Sequence, residues 1–292
     1  MFKRIKDNNM QILIFPFILL LSFCHLSTSS VNAGNKLKVA VSIVPQKTFV
    51  KEIAGDSVEV ITVIPPGYSP ANYAPSPKHM KDFSDADIYF SLGLPAETAG
   101  ILSKINSFNK DIKIVRLDKK ISQKYSTRKL HNGKKDPHIW LSPKRVKTMI
   151  DIMEDELIKI NGKAKYRKKA EQYKSRIADL DRYIENKLEN LDKNTFIIYH
   201  PVLGYYAQDY DLKMVVIEKD GKKAAPRRIQ KIIDIGMKNK IKSVFYQKTA
   251  TSRQAKIIAE ELGGKTIKIN PFDSNYIANM KKITNSLITV LE

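Results

Sequence analysis

The residues best suited to chemistry are two histidines in proline-flanked motifs, His138 in Asp136-Pro137-His138-Ile139-Trp140-Leu141-Ser142-Pro143 and His200 in Tyr199-His200-Pro201. Neutral imidazole is a ligand for zinc and other transition metals, whereas calcium asks for a carboxylate-rich oxygen loop that this sequence does not contain. A histidine between a proline and an aromatic also reads as a buried structural residue, and for His138 both readings stand. Two further segments follow strands. Residues 65–77 (PPGYSPANYAPSP) carry five prolines in thirteen residues, a rigid loop, with Ser76-Pro77 set to cap and start a helix. Ile269-Asn270-Pro271-Phe272-Asp273 offers one amide and one carboxylate. His79, in the helix after the proline-rich loop, reads as a surface residue.

Histidines this far apart in sequence converge only if folded lobes bring them together. Short apolar runs at 37–43, 58–64, 88–92, 112–116, 195–199, 213–217, 242–246 and 265–269 alternate with helical patterns that include 45–56, 230–239, 252–262 and 275–291. Buried strands alternating with amphipathic helices predict parallel sheets covered on both faces. The fold class is therefore α/β, with two Rossmann-like lobes and a ligand cleft between them. Each histidine falls at a lobe edge, where open α/β sheets place ligands. Tyr166, Ala170, Tyr173, Ile177, Leu180, Ile184, Leu188 and Leu191 recur every three or four residues. They predict one long helix of about 26 residues, roughly 39 Å, joining the lobes. The expected organisation is a leader over 1–33, an N-terminal lobe over 35–160, the linking helix over 163–191 and a C-terminal lobe over 194–292.

The leader is itself informative. Lys3, Arg4 and Lys6 precede an apolar stretch at 11–23 and the small-residue site Val31-Asn32-Ala33. This is the pattern of a secretory signal peptide and is too short for a membrane-spanning helix. Cleavage after Ala33 frees a soluble chain; alternatively Leu21-Ser22-Phe23-Cys24 is a lipid-attachment box that tethers the protein through Cys24. Both routes export it, to the periplasm or the outer face of the cytoplasmic membrane, with the membrane reached only through a partner or that lipid. Cys24 is the single cysteine, which excludes a disulfide framework, a zinc ribbon and a thiol nucleophile in the folded body.

The 292 residues carry 51 Lys and Arg against 30 Asp and Glu, a formal charge of +21. The lysines are spread over helix faces without an interleaved aromatic patch, so the basicity reads as a solvated surface and not as a nucleic-acid site. No G-x-S-x-G elbow, HExxH pair or carboxylate dyad is present, and the chain is expected not to be an enzyme.

Six ordered motifs (PPGYSPANYAPSPKHM, DPHIWLSPK, YHPVLGYYAQDYDL, EKDGKKAAPRRI, YQKTATSRQAKIIAEELG and NPF) resemble the zinc- and manganese-binding proteins of bacterial ABC importers. The resemblance spans roughly 37–291. It implies two α/β lobes on one rigid helix and a zinc or manganese ion held between them. It also implies a monomeric carrier that hands the ion to an ABC permease with its ATPase. The family's second and third ligands match His138 and His200. Its first ligand position is occupied here by Ala71, and its fourth by Asn270. Residues 119–135, where many zinc members carry a histidine-rich loop, contain only His131. Asp273, one turn beyond Asn270, is the leading candidate to complete the set, followed by Glu218, Asn72, Tyr68 and Gln247. Losing two ligands costs about 10²–10⁴-fold in affinity, to judge from the 10–100-fold that a lost outer partner costs. The site is thus expected to be weak or incomplete, or to take a chelated metal or another small solute. A second role as a surface adhesin is compatible with the resemblance.

Overall fold

The structure is a computed structural model that describes residues 36–247 and 253–292; the leader, Cys24 and the signal and lipidation expectations attached to them lie outside the described residues. The first sheet contains β1 (Leu37–Val41), β2 (Val58–Thr62), β3 (Ile88–Ser91) and β4 (Lys113–Arg116), all parallel, in the order β2-β1-β3-β4. The second contains β5 (Thr195–Ile198), β6 (Lys213–Val216), β7 (Ser243–Gln247) and β8 (Lys265–Ile269), again parallel and in the equivalent order β6-β5-β7-β8. Every residue of β3 is buried, as the continuous apolar run Ile88-Tyr89-Phe90 requires of a strand covered on both faces.

Helices α1 (Val44–Ala54), α2 (Pro77–Ser84), α3 (Leu102–Phe108), α4 (Leu117–Ile121) and α5 (Pro143–Asn161) belong to the first half of the chain. The starts of α2 and α5 follow from local chemistry. Ser76 Oγ accepts from the His79 amide and Ser142 Oγ from the Arg145 amide, with proline in the first turn of each. Gly162, at φ +63°, terminates α5 in the left-handed conformation that glycine adopts without a side-chain penalty. The chain then turns back as α6 (Lys165–Leu188). Arg167 pairs with Glu154, while Lys174, further along α6, pairs with Asp151, so the two helices run antiparallel. The expected apolar face of α6 is buried from Tyr166 to Leu188. The helix has 24 residues, about 36 Å, and not 26. Leu191 belongs to the turn that follows, from which its half-buried side chain still reaches the core and extends the periodicity.

The second half carries α7 (Gly204–Asp209), α8 (Pro226–Lys238), α9 (Arg253–Glu261) and α10 (Tyr276–Leu291). α8 starts four residues before the expected 230, because Pro226 presets the first turn although the apolar stripe begins only at Ile229. One buried cluster runs through the first lobe, α6, α10 and the facing side of the second sheet; a smaller one lies under α8 and α9. α10 reaches back across the junction, where Tyr276 meets Phe49 edge-on at 5.1 Å and Thr48 donates to the Ser274 carbonyl at 2.7 Å. Arg145 of α5 is bound by Asp209 of α7 at 2.6 Å and stacks over Tyr205 at 4.3 Å. A core shared in this way resists rotation of one lobe against the other. Among the described residues no helix is long and apolar enough to cross a membrane.

Candidate functional site

His138 and His200 meet across the junction of the two lobes. Their Nε2 atoms are 3.3 Å apart, the ring centroids 5.1 Å, and the ring planes nearly perpendicular at 88°. Two zinc–nitrogen bonds of ~2.0–2.1 Å at the tetrahedral angle place their nitrogens ~3.3–3.4 Å apart. The two histidines therefore already span one edge of a zinc tetrahedron.

Each ring is held from behind by a carboxylate. His138 Nδ1 lies 2.7 Å from Asp136 Oδ1, which also accepts the His138 amide at 3.0 Å, so Asp136, Pro137 and His138 form a closed turn. His200 Nδ1 lies 2.6 Å from Glu218 Oε1. Ionised carboxylates only accept, so each Nδ1 carries the hydrogen and each Nε2 presents a lone pair. Two lone pairs facing each other at 3.3 Å repel unless a cation sits between them, so the pair could hold a metal ion at two points.

The electrostatics favour that protonation state. Burial alone would raise the Asp136 carboxyl, but the His138 ring and the Arg128 guanidinium outweigh it and hold it below its ordinary 3.8. Burial pushes His138 below its ordinary 6.5 against the pull of Asp136, which keeps the imidazole neutral and available for a metal. Arg128 Nη1 donates to Asp136 Oδ2 at 3.0 Å, the Arg128 amide donates to the Tyr205 hydroxyl at 3.1 Å, and that hydroxyl donates to the Asp136 carbonyl at 3.3 Å. This assembly sits on the first residue of α7. A Cβ at Gly204 would collide with Asp136 Oδ2 and lie 2.7 Å from Arg128 Nη1, so only glycine lets the α7 backbone come this close. Trp140 closes the other side, its ring 5.3 Å from that of His138 and its Nε1 donating to the Pro271 carbonyl at 2.8 Å.

The pair lies in a cleft of about 1260 Å³ whose walls also contain Ala71, Asn72, Glu218 and Gln247. Glu218 approaches the imidazole nitrogen opposite the one that faces His138. Asn270 and Asp273, by contrast, line a neighbouring cavity of about 690 Å³ together with Tyr68, which is 58% exposed. Asn270 Nδ2 donates to Asp273 Oδ2 at 3.2 Å, and Asp273 Oδ1 accepts the Asn275 amide at 2.9 Å. Asp273, Asn270 and Tyr68 thus line a cavity that shares Pro70 and Phe272 with the histidine cleft, and the turn after β8 uses the Asp273 carboxylate on its own backbone and amide. His131 is exposed at the cleft mouth. His79 is half-buried and not a free surface group, its Nδ1 bonding the Tyr73 hydroxyl and its ring meeting Phe83 edge-on at 5.6 Å. Among the described residues, no three His, Cys, Asp or Glu side chains gather to hold a metal. Sequence reasoning passed over Asp136 and Gly204 as site residues. An Asp two positions before a His, with proline between them, is the signal that could have found the first.

Residues 39–290 match the family model described as zinc-uptake complex component A, periplasmic. The chain is 26% identical over 289 residues to the high-affinity zinc uptake system protein ZnuA of Bacillus subtilis, covering 94% of this chain and 90% of that protein. It is 26% identical over 300 residues to the zinc-binding lipoprotein AdcA of Streptococcus pneumoniae, covering 92% of this chain but only 60% of that relative, so it spans about three fifths of AdcA's length. A crystal structure of ZnuA superposes with a TM-score of 0.83 at 26% identity, over 88% of this chain and all of the other.

Proposed function

The chain belongs to the periplasmic zinc-uptake component A family, whose members are metal-binding transport components and not enzymes; from that premise we propose that it captures zinc between its lobes on His138 and His200. The observation that carries this is the 3.3 Å separation of two Nε2 atoms whose opposite nitrogens both rest on carboxylates. Two imidazoles suit zinc better than manganese, whose sites draw on carboxylate and carbonyl oxygens. The bound ion passes to an ABC permease driven by its ATPase, and the carrier works as a monomer, since both histidines come from one chain. Export and an optional tether at Cys24 place it outside the cytoplasmic membrane. The shared core and the Arg145–Asp209 link favour capture by local closure of the loops around the cleft over a large lobe rotation.

Calorimetric titration of the metal-free mature chain with zinc and with manganese tests this reading. Zinc binds at one equivalent and more tightly than manganese, and the double variant His138→Ala/His200→Ala abolishes the heat. Retention of zinc by the double variant would sink the reading.

A further inference from the structure

The two histidines occupy only two of zinc's four positions, and the walls around them say what fills the rest. Ala71 offers no donor, Asp136 and Glu218 are used behind the rings, and Asp273 lies in another cavity. The cleft, at about 1260 Å³, is far larger than an aqua ion requires. At ~30 Å³ per water, even six waters around a zinc ion need only about 200 Å³.

The charge of the walls is the wrong sign for a free cation. Eight of the lining side chains are Lys or Arg and three are Asp or Glu. Arg116 and Arg128 are neutralised by Asp118 and Asp136. Lys119, Lys129, Lys134, Lys135 and Lys219 are exposed at the mouth and make no ion pair among the described residues. A field of this sign repels a divalent cation on approach and draws in an anion. Deeper in the cleft, Gln247 is 8% exposed, and its Oε1 has no hydrogen-bond partner among the described residues. A buried amide oxygen left without a donor is costly, and a hydroxyl-bearing ligand would satisfy it.

We propose that the cargo is an anionic complex, zinc carried by a small polycarboxylate such as a hydroxy-tricarboxylate. The chelator's oxygens complete the coordination begun by His138 and His200, its remaining carboxylates meet the mouth lysines, and its hydroxyl donates to Gln247. No covalent bond changes; the complex binds intact. The proposal rests on the reading that the cleft binds zinc, and it names the form in which zinc arrives.

Equilibrium dialysis of the metal-free mature chain against radiolabelled citrate, with and without equimolar zinc, tests it, with malate and tricarballylate run in parallel. Citrate is retained at about one equivalent with zinc and at least tenfold more weakly without it. Malate follows citrate, and tricarballylate, which lacks the hydroxyl, is retained less. The charge reversal Lys129→Glu/Lys134→Glu/Lys135→Glu lowers zinc-dependent citrate retention at least tenfold, with an unchanged melting temperature as the check on folding. His138→Ala/His200→Ala abolishes it. Zinc retained equally tightly with and without the three polycarboxylates overturns the chelate proposal and leaves the zinc cleft standing. Citrate retained equally without zinc also overturns it, as does retention indifferent to charge reversal. Retention of neither zinc nor zinc citrate overturns both readings.

Discussion

The two halves of the site use the same chemistry and build it differently. In the N-terminal half the supporting carboxylate is local: Asp136 lies two residues before His138 and accepts from both its ring and its amide. That carboxylate is itself buried and held by Arg128 over Gly204, and His138 is 7% exposed. In the C-terminal half, His200 follows β5 and takes its carboxylate from Glu218, eighteen residues on, beyond the neighbouring strand β6. Pairing of β5 with β6 sets that contact, with the Glu218 amide donating to the Tyr199 carbonyl at 3.1 Å. His200 is also more open to solvent than His138. The first half is thus the more buried and locally braced of the two, and the second the more open to solvent.

The largest expected effect treats the halves alike. His138→Ala or His200→Ala alone breaks the tetrahedral edge and lowers zinc affinity by more than the roughly 100-fold that a lost outer partner costs. Calorimetry on both variants checks it, and a wild-type affinity in either would show that one half suffices. The next separates them. Asp136→Asn and Glu218→Gln each lower zinc affinity about 10–100-fold by loosening one ring. Asp136→Asn also costs about 1–3 kcal/mol of stability, because Arg128 loses its buried acceptor, while Glu218→Gln leaves the melting temperature within a few degrees of wild type. Equal melting temperatures in the two variants would erase the distinction between the buried half and the open half.

Gly204→Ala probes the buried half from below. Its Cβ meets Asp136 and Arg128, so overpacking costs about 1–3 kcal/mol in a urea melt, with a loss of zinc affinity smaller than that of Asp136→Asn. The smallest effect is in acid. The folded Asp136 pKa lies below 3.8, so its contribution to stability is complete above that value and is lost as pH falls through the folded pKa. Urea midpoints measured across that range decline less steeply in Asp136→Asn than in wild type.

Much of this was legible in the chain. Apolar runs located all eight strands of the described residues and one helical stripe located α6, since burial on two faces or on one stripe leaves a period in the sequence. The histidines stood out through their prolines and their places at lobe edges. Asp273, expected to complete the set, bonds Asn270 and the Asn275 amide in the turn after β8, where short side chains satisfy nearby backbone groups in preference to distant ones. His79 likewise became a support for the proline-rich loop through Tyr73, a contact that spacing alone does not announce.

By itself the sequence determined the α/β class, the doubled parallel sheet, the long helix and the two histidines to look at, because periodicity and proline-bounded motifs are local properties. The tertiary structure alone decided that Glu218 serves His200, that Gly204 makes room for Asp136, and that lysines with no ion pair among the described residues line the cleft. Each of those depends on which strands pair and which loops face one another across the lobes, and distance along the chain carries no record of that.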